Sequence, residues 1–177
     1  MAGYFAAGSF RILGSAATPH NLLTIENIDA TKLVYIRRVT VQLDATAVLV
    51  AVMPQVKLSR ASAVPTGGTT LNKGQFDTSN ASNANTIIRC ATASDGGAAT
   101  AITATAGTTI WQQYCMRMHT LVGQVLAEDS SMAPALVETQ NLILRQNQAL
   151  LVQVVATIGT SNPATNNWCV NIVWEED

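Results

Sequence analysis

The clearest pattern in the chain is an alternation of period two close to its end. Trp168, Val170, Ile172 and Trp174 fall on one side of an extended backbone, and Cys169, Asn171, Val173 and Glu175 fall on the other. Ahead of it, Leu142, Ile143 and Leu144 form an apolar run that stops at Arg145, Gln146, Asn147 and Gln148. A second run follows over residues 150–155. Both runs are too short for long helices and are bounded by turn-forming residues, so together they predict a β-hairpin, with the alternating stretch as the last strand.

The same reading extends towards the N-terminus. Residues 33–43 set Arg38, Thr40 and Gln42 against Val39, Val41 and Leu43. On a regular strand the adjacent Arg37 and Arg38 project to opposite sides, which predicts no basic patch. Further strand candidates lie at 9–13, 21–26, 48–52, 55–60 and 86–91, and Pro54 between two of them predicts a sheet edge or a bend. Residues 110–118 form a Met and aromatic cluster that predicts core rather than a cofactor site. Residues 121–127 fit either a short helix or a strand. No long amphipathic period of 3.6 occurs, so helical and alternating β/α folds are disfavoured. The prediction is an all-β chain folded as a jelly-roll or related Greek-key β-sandwich.

The remaining stretches are of another kind. Residues 63–85, with Pro65, Gly67, Gly68 and Gly74, and the Ala- and Thr-rich residues 92–109 predict long loops. Residues 1–8 place Tyr4 and Phe5 among Ala and Gly, too flexible for a strong strand and too apolar for a solvated tail. They predict an N-terminal arm ahead of a single domain at 9–177, with a tail lying along its own domain as the alternative.

Composition changes the picture more than any motif. Of the 177 residues only 12% are charged, beside 48% hydrophobic, where ordinary soluble domains carry about 25% charge. Charge depletion is a property of interface cores, where desolvating an ion is costly, so it predicts a subunit covered by neighbours, with a neutral, Thr-rich extracellular β domain as the alternative. The arm residues Tyr4 and Phe5 and the loop residues Thr103 and Thr105 are the candidate assembly interface. A net charge of -1 supplies no footprint for nucleic acid or an anionic membrane, and neither partner is expected. No run of 18 apolar residues predicts a membrane-spanning helix, and no basic segment predicts a signal peptide.

Chemistry-bearing residues are sparse. No HExxH, no GxSxG and no Ser, His and Asp ordering is present, so no enzyme is predicted. His20 sits at a bend far in sequence from His119. Glu128 and Asp129 lack the alternating oxygen ligands of a calcium loop, and Gly67 and Gly68 lack the Lys of a phosphate loop, so neither metal nor cofactor is expected. Asn80, Ala81 and Ser82 match a glycosylation sequon at near-chance level. Cys90, Cys115 and Cys169 have no CxxC spacing and predict buried free thiols.

The stretch from Leu142 to Val152, the polar turn from Gly159 to Pro163 and the Trp-flanked last strand resemble the C-terminal half of small virion proteins of tailed bacteriophages. Those proteins commonly carry a Pro-Gly turn where this chain has Gln146 and Asn147. The resemblance covers roughly the last hundred residues. It implies a trimeric jelly-roll subunit, made in the host cytoplasm, that binds the major capsid protein at the virion surface and cements the shell. The alternative is a fibre, baseplate or adhesin module that binds host-surface glycan, with Trp111, Tyr114 and Trp168 as stacking platforms.

Overall fold

A computed structural model describes residues 2–13, 20–45, 53–80, 85–91, 102–114, 142–158 and 165–177. Among them no helix occurs. The long strands are β1 (Ala2–Leu13), β2 (His20–Asn27), β3 (Val34–Ala45), β4 (Met53–Ala61), β8 (Thr86–Cys90), β10 (Ala106–Tyr114), β12 (Gln148–Ile158) and β13 (Thr165–Glu176). Shorter ones are β5 (Thr66–Gly67), β6 (Thr69–Thr70), β7 (Gly74–Gln75), β9 (Ile102–Thr103) and β11 (Leu142–Leu144).

Two antiparallel sheets contain most of these strands. The first has the order β11-β3-β13-β1-β7, the second β10-β4-β12-β2-β8-β6. Leaving out β5 to β9, the first strand of the chain pairs with the last, the second with the last but one, and so inwards: β1 with β13, β2 with β12, β3 with β11 and β4 with β10. Successive strands of this doubled ribbon alternate between the two sheets. That is the winding of a jelly roll, and it places the chain in the expected fold class.

The winding corrects one expectation. The runs ending at Leu144 and beginning near Leu150 do not form a hairpin: β11 pairs with β3 in the first sheet, whereas β12 pairs with β2 and β4 in the second. The turn between them crosses from layer to layer. Arg145 O accepts from Gln148 N at 3.0 Å, and Asn147 has φ of 60°, a left-handed conformation that Asn tolerates better than most residues. Crossing layers lets Leu144 and Leu150 both reach the core, which two paired strands on one sheet face would also need a second layer to achieve.

That core is continuous between the sheets. Tyr4, Val39, Val41, Leu144, Val170, Ile172 and Trp174 of the first meet Leu23, Ile25, Val56, Leu58, Ile88, Leu150 and Val152 of the second in one buried cluster. The period of two read at the C-terminus is retained, with Val170, Ile172 and Trp174 all buried. Cys90 is a buried free thiol in the same cluster.

Residues 2–8 are the first part of β1 and pair with β13 in an unbroken register from Ala2 opposite Glu176 to Leu13 opposite Thr165. Backbone pairing and burial of Tyr4 and Ala6 hold this segment against its own sheet.

The stretch predicted as a loop over 63–85 is also more ordered where it is described. Thr69 and Thr70 pair with β8 at one edge of the second sheet, and Gly74 and Gln75 pair with β1 at one edge of the first. It thus straps the two sheets together along one side. Gly68 takes φ of 68°, and a Cβ there would lie 2.8 Å from both Cys90 O and Ile102 Cγ1, so the strap closes only with glycine at this point. The expected strand at 48–52, the undecided element at 121–127, and Cys115, His119, Glu128 and Asp129 lie outside the described residues.

Candidate interaction surface

The four residues expected to form an assembly interface are not brought together. Tyr4 is 5% exposed and faces inward, its ring 5.9 Å from that of Trp174 and stacked on it. Burial, reinforced by the charge of Glu176, pushes its hydroxyl above the ordinary tyrosine value. It belongs to the chain's own core and is not available to a neighbour. Thr103 and Thr105 are exposed, but on the segment that pairs with β5 and packs on β2 of the second sheet. Asn21 holds that segment by donating from Nδ2 to Ile102 O at 2.8 Å and to Ala104 O at 3.2 Å.

Phe5 is the one that faces outward among aromatic neighbours. Strand alternation turns it away from the core that Tyr4 and Ala6 enter, and it remains 41% exposed. Its ring meets Phe76, 64% exposed, at a centroid distance of 5.0 Å and a tilt of 48°. Gly74 lies beneath Phe5, where a Cβ would come within 2.2 Å of the ring, and Gly3 lies against Phe76, where a Cβ would come within 3.2 Å of Cδ2. The strap therefore provides both a second ring and the flat backbone on which the first one rests. Phe76 was hidden in the sequence by its polar, loop-like surroundings. The available signal was an aromatic residue isolated among Gly, Gln, Asp, Thr and Ser.

Beyond Phe5 the outer face of the first sheet continues through Val173, directly opposite it, to Arg38. Here the structure overturns the expectation for the arginine pair. The register between β3 and β13 steps from Arg38 opposite Val173 to Ile36 opposite Trp174, leaving Arg37 as a bulged residue. Ile36 and Val39 are both buried while Arg37 and Arg38 are not, so the bulge turns both guanidinium groups to the same face. Strict alternation cannot anticipate an extra residue.

The polar flank of the aromatic pair is internally matched. Arg37 Nη2 forms an ion pair with Glu175, and the guanidinium carbon of Arg37 lies 5.8 Å from the centroid of the Tyr35 ring. The Tyr35 hydroxyl donates to Asp177 Oδ2 at 2.6 Å, and this bond to a carboxylate holds the phenol above its ordinary value. The face is thus an apolar spot beside a nearly neutral rim, a pattern suited to contact with another protein surface.

Behind this face lies a buried polar group that fixes the end of β13. Trp174 Nε1 donates to Glu176 Oε1 at 3.1 Å, and Asn85 Nδ2 donates to Glu176 Oε2 at 2.9 Å. Lys73 Nζ donates to Thr86 O at 2.6 Å, and burial draws its ammonium below the ordinary lysine value against the opposing pull of Glu176. These bonds join the strap, β8 and β13, and satisfy a carboxylate that would otherwise be costly to bury.

Among the described residues no group of three or more His, Cys, Asp and Glu side chains is placed to hold a metal ion. His20 is half-buried at the start of β2. Of the three rings considered for glycan stacking, Trp111 is half-buried against the core, while the side chains of Tyr114 and Trp168 lie outside the described residues. Comparison with known proteins returned no matching family model, no matching curated protein and no matching solved structure.

Proposed function

We propose that the chain is a structural virion subunit of the capsid decoration type, which adds to the surface of a shell built by a major capsid protein and stabilises it. The observation that carries this reading is the exposed Phe5–Phe76 pair, with Phe5 seated on Gly74, at the outer face of a charge-poor jelly roll. Two aromatic rings left in water beside a nearly neutral rim favour burial against a partner of similar polarity. The mechanism is surface burial: on the order of 1,000 Å² or more per contact is needed for stable attachment, and the aromatic pair is the anchor within it. The resemblance of the C-terminal half to small phage virion proteins supports the same reading and supplies the partner.

The test is co-sedimentation of the purified protein with shells assembled without it. The F5S/F76S double variant is expected to fold and to lose at least tenfold in shell affinity. Absence of wild-type binding to shells, or wild-type affinity in the double variant, overturns the reading.

A further inference from the structure

Among the described residues the first sheet has an open edge. Beyond Phe5 opposite Gly74, β7 ends, and among the described residues no strand pairs with the outer side of residues 6–13 of β1. The direction of the open groups follows from one bond: Phe76 N donates to Gly3 O at 3.2 Å. Odd-numbered residues of β1 therefore direct N–H and C=O away from β13, and beyond the strap these are Ala7, Ser9, Arg11 and Leu13. None is proline, so each offers both a donor and an acceptor.

Exposed edges normally carry a device that prevents pairing. In this protein β11 is three residues long, the β10–β4 pairing is twice irregular, β3 bulges at Arg37 beside the end of β11, and β8 is covered by the strap. Residues 6–13 have none of these. Their pairing with β13 runs without a register shift, and they contain neither Pro nor Lys.

We infer that this edge joins two copies of the chain through antiparallel β1–β1 pairing about a two-fold axis at Phe10. Parity and the extent of the free edge select this register. Hydrogen-bonded pairs must match odd residues with odd, and only an axis at Phe10 uses all four: Ala7 pairs with Leu13 of the second copy and Ser9 with Arg11. The edge is graded from small residues at 6–9 to large ones at 10–13, so two-fold pairing sets small against large, including Gly8 opposite Ile12. It also sets Arg11 opposite Ser9 and away from its own copy, avoiding like charges directly across the ladder. The contact is isologous and closes on itself, extending the first sheet across both subunits.

Native-state hydrogen exchange and sedimentation equilibrium over a range of concentrations test the pairing in the wild-type protein. A dimer is expected, with the amides of Ala7, Ser9, Arg11 and Leu13 becoming protected as it forms. The S9P variant removes an N–H that no described strand of its own sheet uses, so the fold is expected to survive, while dimer dissociation should rise at least a hundredfold. A wild-type protein that stays monomeric, a trimer, a dimer in which these four amides exchange freely, or a folded S9P protein that dimerises like wild type overturns the inference. The F5S/F76S variant is expected to dimerise normally, so loss of shell binding and loss of pairing are separable results.

Discussion

Tyr4 stacks on Trp174 directly across the β1–β13 ladder, so the third residue pair of that ladder locks the start of the first strand to the end of the last. Trp174 is fully buried and also donates to Glu176. Trp174→Ala is therefore expected to cost about 3–5 kcal/mol, through lost packing and a cavity. Urea unfolding of Trp174→Ala, Tyr4→Ala and the double variant should show coupling of about 0.5–1.5 kcal/mol between the rings.

Asn27 ties the layer-crossing turn to the second sheet. Its Nδ2 donates to Leu144 O and to Lys32 O, both at 2.9 Å, its Oδ1 accepts from Asp29 N, and its own carbonyl accepts from Asn147 N at 2.7 Å. Asn27→Ala removes the side-chain donor to the buried Leu144 carbonyl and is expected to cost about 2–3 kcal/mol. The shift in urea midpoint at constant m-value measures it.

Glu26 sets a pH dependence. It is buried on the outer side of the second sheet, and burial raises its carboxyl above the ordinary value of 4.5 despite the opposing charge of Arg89. A raised value means that the folded state holds the proton more tightly than the unfolded state. This contribution to stability is complete below pH 4.5 and is lost as pH rises through the folded-state value. Glu26→Gln should therefore be more stable than wild type at pH 7, and the gap should close as pH falls towards 4. Urea midpoints across that range would show no convergence if the carboxylate were favourably placed.

Cys90 should be chemically silent in the folded protein. Burial pushes its thiol above the ordinary cysteine value, which lowers the thiolate fraction and blocks access together. Iodoacetamide at pH 7.5 is expected to leave the Cys90 peptide unmodified in native protein and to alkylate it fully in 6 M guanidinium, as read by peptide mass spectrometry.

Local patterning carried much of the architecture. The alternation at 168–174 and 33–43 identified strands whose inward residues, Val170, Ile172, Trp174, Val39 and Val41, are the core of the first sheet. The same logic failed where the backbone departs from regularity. The bulge at Arg37 reversed the expected placement of an arginine pair, because one unpaired residue shifts every side chain on one side of it to the opposite face.

An all-β chain, a charged fraction of 12% and an interior Cys90 were legible from the chain alone. These follow from period, composition and hydropathy, which are properties of neighbouring residues. Folding alone settles which strands pair, that the runs around residues 145–148 enter different sheets, that Tyr4 is core while Phe5 is surface, and that Phe76 joins it. Those outcomes depend on contacts between residues far apart in the chain, such as Gly74 beneath Phe5 and Leu13 opposite Thr165, and no local pattern encodes the partner of an open edge.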